Sequence, residues 1–168
     1  MAVQNKYVDA NVAAGKKGNS AIVAGGRVLA VAGTFEVAAA DSDTSVWRLA
    51  RLPANAIPIR AELYADASLG TSAFTLGLHH ENLGAVVDKD IFLAATDLTA
   101  GVAITAGANN GLTNLGGADP VGSVGKKLWE LLGLTVNTKR EGYDLSITGD
   151  TVGGGAGTIS YLFLYILG

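Results

Sequence analysis

Apolar and polar residues alternate along much of this chain with the two-residue period of β-strands, and the most telling run lies at 156–168. Read as a strand, it carries Ile159, Tyr161, Phe163 and Tyr165 on one face. The other face carries Leu162, Leu164 and Ile166, with only Ser160 small and polar. A strand apolar on both faces must be covered on both, by its own domain or by another copy of the chain. The sequence ends two residues beyond Ile166, which reads as a chain finishing inside its own core or an interface. The pattern therefore predicts a symmetric homo-oligomer, a dimer or trimer, associating through Tyr161, Phe163, Leu164 and Tyr165.

The same period marks further strands. Arg27–Val37 sets Val28, Ala30 and Ala32 against Leu29, Val31 and Gly33, and Val46–Leu52 sets Trp47 and Leu49 against Arg48 and Ala50. Pro53 and Pro58 are expected to bracket a loop, because neither can donate to a ladder. Ile59–Ala65 and Ala73–His80 follow as strands joined by the turn residues of 66–71; in the second, Phe74, Leu76 and Leu78 oppose Thr75, Gly77 and His79. Across 88–96 the alternation fails. There the sequence predicts a short helix capped by Asp88 or Asp90 that packs Ile91, Phe92 and Ala95.

Val102–Ala106 is a short strand, and the turn signals at 109–111 and 116–120 mark a glycine-rich excursion. Lys127–Leu132 reads as one helical turn with Leu128, Leu131 and Leu132 inward, before the last strands at Tyr143–Thr148 and Thr158–Leu167. Eight or nine short strands joined by Gly, Asp, Asn and Pro, with no long amphipathic helix, predict an all-β antiparallel sandwich of jelly-roll type. Residues 1–26 read as an N-terminal arm with a possible edge strand at Ser20–Ala24, and 27–168 as a single β-sandwich domain.

Composition sharpens this picture. Charged residues make up only 16% of the 168, below the roughly 25% of ordinary domains. Apolar residues reach 49%, which favours a surface shared with neighbours. The net charge of −3 argues against a nucleic-acid binder. There is no cysteine, so disulfides and thiolate metal sites are excluded. The N-terminus shows no signal-peptide core, and no run approaches a membrane helix, so a soluble chain made in the cytoplasm is expected, with no membrane partner.

Each motif with chemical potential has a plainer reading. Asp41-x-Asp43-x-Ser45 opens like a calcium loop, but Val46 and Leu52 stand where glycine and glutamate belong, leaving a solvated turn. His79 and His80 are neighbours on a strand, so they point to opposite faces and do not chelate one ion with Glu81. The glycine-flanked Lys16-Lys17 lacks the order of a phosphate loop. Gly153–Gly157 precedes a strand, not a helix, and 121–125 lacks the first glycine of a nucleophile elbow. No catalytic residue, metal or cofactor is predicted. Trp47 and Trp129 read equally as interface anchors or core residues.

Several stretches carry a resemblance. Val46-Trp47-Arg48-Leu49-Ala50-Arg51-Leu52-Pro53, Ile57–Leu63, Phe74–Leu78, Lys127–Leu134, Tyr143–Thr148 and Gly157–Tyr161 together resemble the small structural proteins of tailed-bacteriophage head modules, over roughly 27–168. The resemblance implies a jelly-roll capsid decoration (cement) protein, bound as a dimer or trimer to the outside of an expanded head and bracing the major capsid protein. On that reading Tyr7, Val8, Lys16 and Lys17 of the arm would touch the capsid. Residues 1–26 depart from the resemblance. A glycan-binding jelly-roll module of a fibre or cell surface, or a tail or connector component, is the alternative; aromatics at only 7% count against the glycan module.

Overall fold

A computed structural model describes residues 27–66, 69, 72–81, 84–98, 125–135, 142–152 and 155–168, and the backbone of 102–105. The expected arm at 1–26, its Ser20–Ala24 strand and the excursion at 109–120 lie outside the described residues.

Among the described residues eight strands form: β1 (Leu29–Val37), β2 (Val46–Pro53), β3 (Ala56–Ala65), β4 (Ala73–His80), β5 (Val86–Asp97), β6 (Val102–Thr105), β7 (Gly142–Thr151) and β8 (Gly157–Leu167). One helical turn, α1 (Leu128–Leu131), precedes β7. The strands build two four-stranded sheets, ordered β1-β8-β3-β6 and β2-β7-β4-β5, and every pairing is antiparallel. Strand β1 pairs with β8, β2 with β7, β3 with β6 and β4 with β5, so the chain follows one long hairpin rolled into a sandwich. That is the jelly-roll arrangement. The all-β sandwich expected from the alternation is the one observed.

The core fills the space between the sheets. Phe74, Leu76 and Leu78 of β4, and Leu145 and Ile147 of β7, meet Ala61 and Leu63 of β3, and Ile159 and Phe163 of β8. Phe92 packs its ring 5.4 Å from that of Phe163. At the side where β1 faces β2, Trp47 stacks on Phe35 at 5.5 Å and sets its edge to Phe74 at 6.0 Å. Trp47 and Trp129 are both half-buried and pack against the core. Leu128 and Leu131 of α1 close one end, while Leu132 is half-buried.

Two expectations are corrected. The prolines do not bracket a loop: β2 runs through Pro53, the connection is Ala54–Asn55, and Pro58 lies within β3 opposite Tyr165. A register shift lies between Pro58 and Arg60, and β6 pairs with β3 only over Arg60–Leu63, so the proline sits at a bulge beyond the end of that ladder, a setting a sheet tolerates.

The segment 88–96 is not a helix but part of β5, a heavily bulged edge strand. Leu76 pairs with Leu93 and Leu78 with Asp88, so two steps along β4 match five along β5. The bulge hides the period, and the Asp88 carboxylate bonds the Asp90 amide at 3.2 Å, a local turn that imitates a helix cap. Ile91 and Phe92 still turn into the core, whereas Ala95 is exposed.

The bulge carries the β5 backbone across the outer face of β4 at Gly77. A Cβ there would collide with the carbonyl oxygens of Asp88 and Lys89, so only glycine admits the crossing. Gly77→Ala is expected to cost about 1–3 kcal/mol by urea unfolding, the usual penalty of overpacking. A variant as stable as the parent would mean that the bulge does not rest on Gly77.

Candidate interaction surface and buried polar face

Alternation in β8 divides its apolar residues between two environments. Ile159 and Phe163 lie in the core, with Tyr161 and Tyr165 half-buried against it. Tyr161 crosses the sandwich, and its hydroxyl donates to the Leu49 carbonyl at 3.3 Å. Leu162, Leu164 and Ile166 alternate with these residues on the outer face, equally half-buried but away from the core cluster. Of the four residues expected to mediate self-association, therefore, Phe163 belongs to the protein's own interior and only Leu164 stands on the outer face.

Neighbouring strands widen this ridge. Ala30 and Ala32 of β1 are exposed opposite Leu164 and Leu162, and Val28 just before β1 is 60% exposed. On the β3 side the ridge meets polar residues: Arg60 Nη2 pairs with Glu62 Oε1 at 2.7 Å, opposite Leu164 and Leu162, and Tyr64 is exposed. The result is an apolar strip with a charged border, the composition of a protein interface. Tyr7, Val8, Lys16 and Lys17, the expected capsid contacts, lie outside the described residues.

The opposite sheet has a different outer face. Thr75 and His79 of β4 and Asp144, Ser146 and Thr148 of β7 are all buried there. His79 Nδ1 and Ser146 Oγ share a hydrogen bond of 2.6 Å, and Thr75 Oγ1 donates to the Thr148 carbonyl at 3.4 Å. Arg48 reaches over from β2. Its Nη1 contacts Asp144 Oδ2 at 3.0 Å and the His80 carbonyl at 2.9 Å, and its Nη2 donates to the Gly84 carbonyl at 2.8 Å. Arg51 adds contacts of 3.3 Å to both Asp144 and Glu81. This network pins the β4–β5 connection to β7.

A serine beside an imidazole suggests a nucleophile and its base. Ser146 is fully buried, and the carboxylate nearby is held by Arg48 and Arg51, so the pair works as packing and not as an accessible dyad. His80 is exposed and lies toward the Tyr143 ring, so the two histidines diverge as strand geometry requires. The acidic turn is also structural: Asp41 accepts from the Ala38 amide at 2.8 Å and Asp43 from the Val152 amide at 2.7 Å. Among the described residues no helix is long and apolar enough to cross a membrane.

The buried polar face was only half legible. Thr75-x-Gly77-x-His79 and Asp144-x-Ser146-x-Thr148 mark one side of each strand, but alternation normally assigns such a side to solvent. The signal for its burial is Gly77, a residue with no side chain in the middle of a central strand.

The fold has known counterparts. No protein-family model matches the sequence, and no curated protein matches it. Solved structures do. A chain of the cyanophage Pam1 capsid asymmetric unit aligns with all of this chain and 93% of its own length, at 13% identity and TM-score 0.50. A chain of the capsid of Ralstonia phage GP4 aligns with 84% of this chain and 85% of its own, at 16% identity and TM-score 0.51. At such identities the likeness is one of fold.

The polar face makes a prediction about pH. Burial, and then the Arg48 guanidinium, lower the His79 pKa from the ordinary 6.5, against a smaller opposing pull from Asp144. The unfolded chain thus binds the proton more readily. The stability linked to neutral His79 is complete above about pH 6.5 and is lost as pH falls from there through the lowered folded pKa. Asp88 shifts the other way, upward by burial and then by Asp90, so its contribution is present at acid pH and fades as pH rises above 3.8 through the raised folded pKa. The difference in unfolding free energy between parent and His79→Asn should therefore slope with pH just below 6.5. A flat difference curve would contradict the assignment.

Proposed function

We propose that this protein is a virion structural protein that decorates and stabilises a bacteriophage capsid. Two observations support the reading. The fold is similar to chains of two phage capsid structures, and the β1–β8 face offers an apolar strip that its own domain leaves partly uncovered. The strip is the single feature that carries the argument. Leu162, Leu164 and Ile166 stay partly exposed outside the core cluster, and covering what remains against a second copy adds a fraction of the about 1.5–3 kcal/mol that full burial of such a side chain is worth.

On this reading copies associate through the β8 ridge into a dimer or trimer, and the arm residues Tyr7, Val8, Lys16 and Lys17 engage the major capsid protein on the capsid exterior. Affinity comes from repetition, since many modest contacts around a shell sum to a large avidity. The part played is structural, with no reaction to catalyse.

Because Leu164 lies outside the core, Leu164→Asp should leave the far-UV circular dichroism of the parent intact. It should weaken self-association by about 3 kcal/mol, roughly a hundredfold. Light scattering reads the outcome: a folded variant with the parent's oligomeric mass would remove the ridge from the interface. Deleting residues 2–18 should leave a folded oligomer that co-sediments poorly with expanded phage heads. Undiminished co-sedimentation would mean that the arm is not the clasp.

A further inference from the structure

On the polar sheet, residues of β2, β4, β5 and β7 enclose an open pocket of about 270 Å³. Val46 and Val86 supply apolar wall, His79 and Thr148 supply polar wall, and Lys89 and Asp150 complete the lining. Lys89 Nζ and Asp150 Oδ1 pair at 2.9 Å, so these two charges cancel. His79 gives Nδ1 to Ser146, which leaves Nε2 as its free ring nitrogen, and burial beside Arg48 disfavours the charged imidazolium. Thr148 Oγ1 is the one buried side-chain polar atom among the described residues without a hydrogen-bond partner, in a residue only 7% exposed. Buried hydroxyls are normally satisfied, so an unpaired one is an anomaly; this oxygen is screened from the pocket as it stands and reaches it only by turning about χ1. For threonine, a single rotation about χ1 exchanges hydroxyl and methyl.

We propose that this pocket binds a compact neutral molecule with an apolar body and one hydroxyl, an alcohol or a phenol. The body lies between Val46 and Val86. The hydroxyl pairs with Thr148 and His79, since it can donate to one and accept from the other. A hydrocarbon leaves the Thr148 hydroxyl unpaired. A charged ligand meets no opposite charge that is free. Water fits the volume but leaves both valines facing it.

The test is an amide-resolved NMR titration of the full chain with phenol and, separately, with toluene, which has a similar shape and no hydroxyl. Saturable shifts are expected at Val46, Val86, Lys89 and Gly149, with phenol about five- to tenfold tighter than toluene, the effect of one net hydrogen bond. Thr148→Val keeps the shape and should erase that preference; Val86→Phe fills the pocket and should abolish both titrations. Equal affinity of the parent for the two probes would overturn the assignment, as would unsaturable shifts, which would indicate water alone. A phenol preference that survives in Thr148→Val would overturn the role of that hydroxyl.

Discussion

Everything in this molecule depends on the two-residue period of β8. A strand in the centre of a sheet has two faces, and only one can look into its own core. With β1 on one side and β3 on the other, β8 spends Ile159, Tyr161, Phe163 and Tyr165 on the interior. The rest of its apolar residues must then stand outside. No adjustment of register relieves this, because a slip by one residue exchanges one apolar set for another. The partly exposed ridge is thus a geometric consequence of the sequence, and the low overall charge of the chain offers little to cover it.

The other sheet meets the opposite problem. Its outer face is polar yet buried, and it is made tolerable by partners: Ser146 for His79, Asp144 for Arg48 and Arg51, the Thr148 carbonyl for Thr75. The β5 bulge makes that burial possible by crossing Gly77, and Arg48 ties down the turn that launches it. One face of the sandwich is consequently polar and largely satisfied by its own partners, Thr148 Oγ1 apart, while the other is apolar and partly exposed.

The sequence was informative where alternation is unbroken. β4 was expected at Ala73–His80 and is found there, and β7 and β8 run only slightly beyond their expected bounds. It misled where the backbone departs from the period. The extra residues of β5 shift its side chains out of phase, and the Asp88 turn supplies a helix signal within a strand. Pro58 suggested a loop because a bulge that spares its missing donor is a property of the pairing, invisible in one strand alone. For the same reason the faces of β8 could be read in advance, but not which of them would be the core: that depends on where β3 and β1 lie, a matter of topology. The pocket was beyond reach, since it joins residues from four strands.

A cryo-EM reconstruction of expanded phage heads incubated with this protein tests the central claim most directly. Density for the sandwich is expected on the capsid exterior, with Leu162, Leu164 and Ile166 buried between symmetry-related copies and the β2-β7-β4-β5 sheet turned away from that contact. Heads without added density, or bound copies whose β8 ridge remains open to solvent, would contradict it.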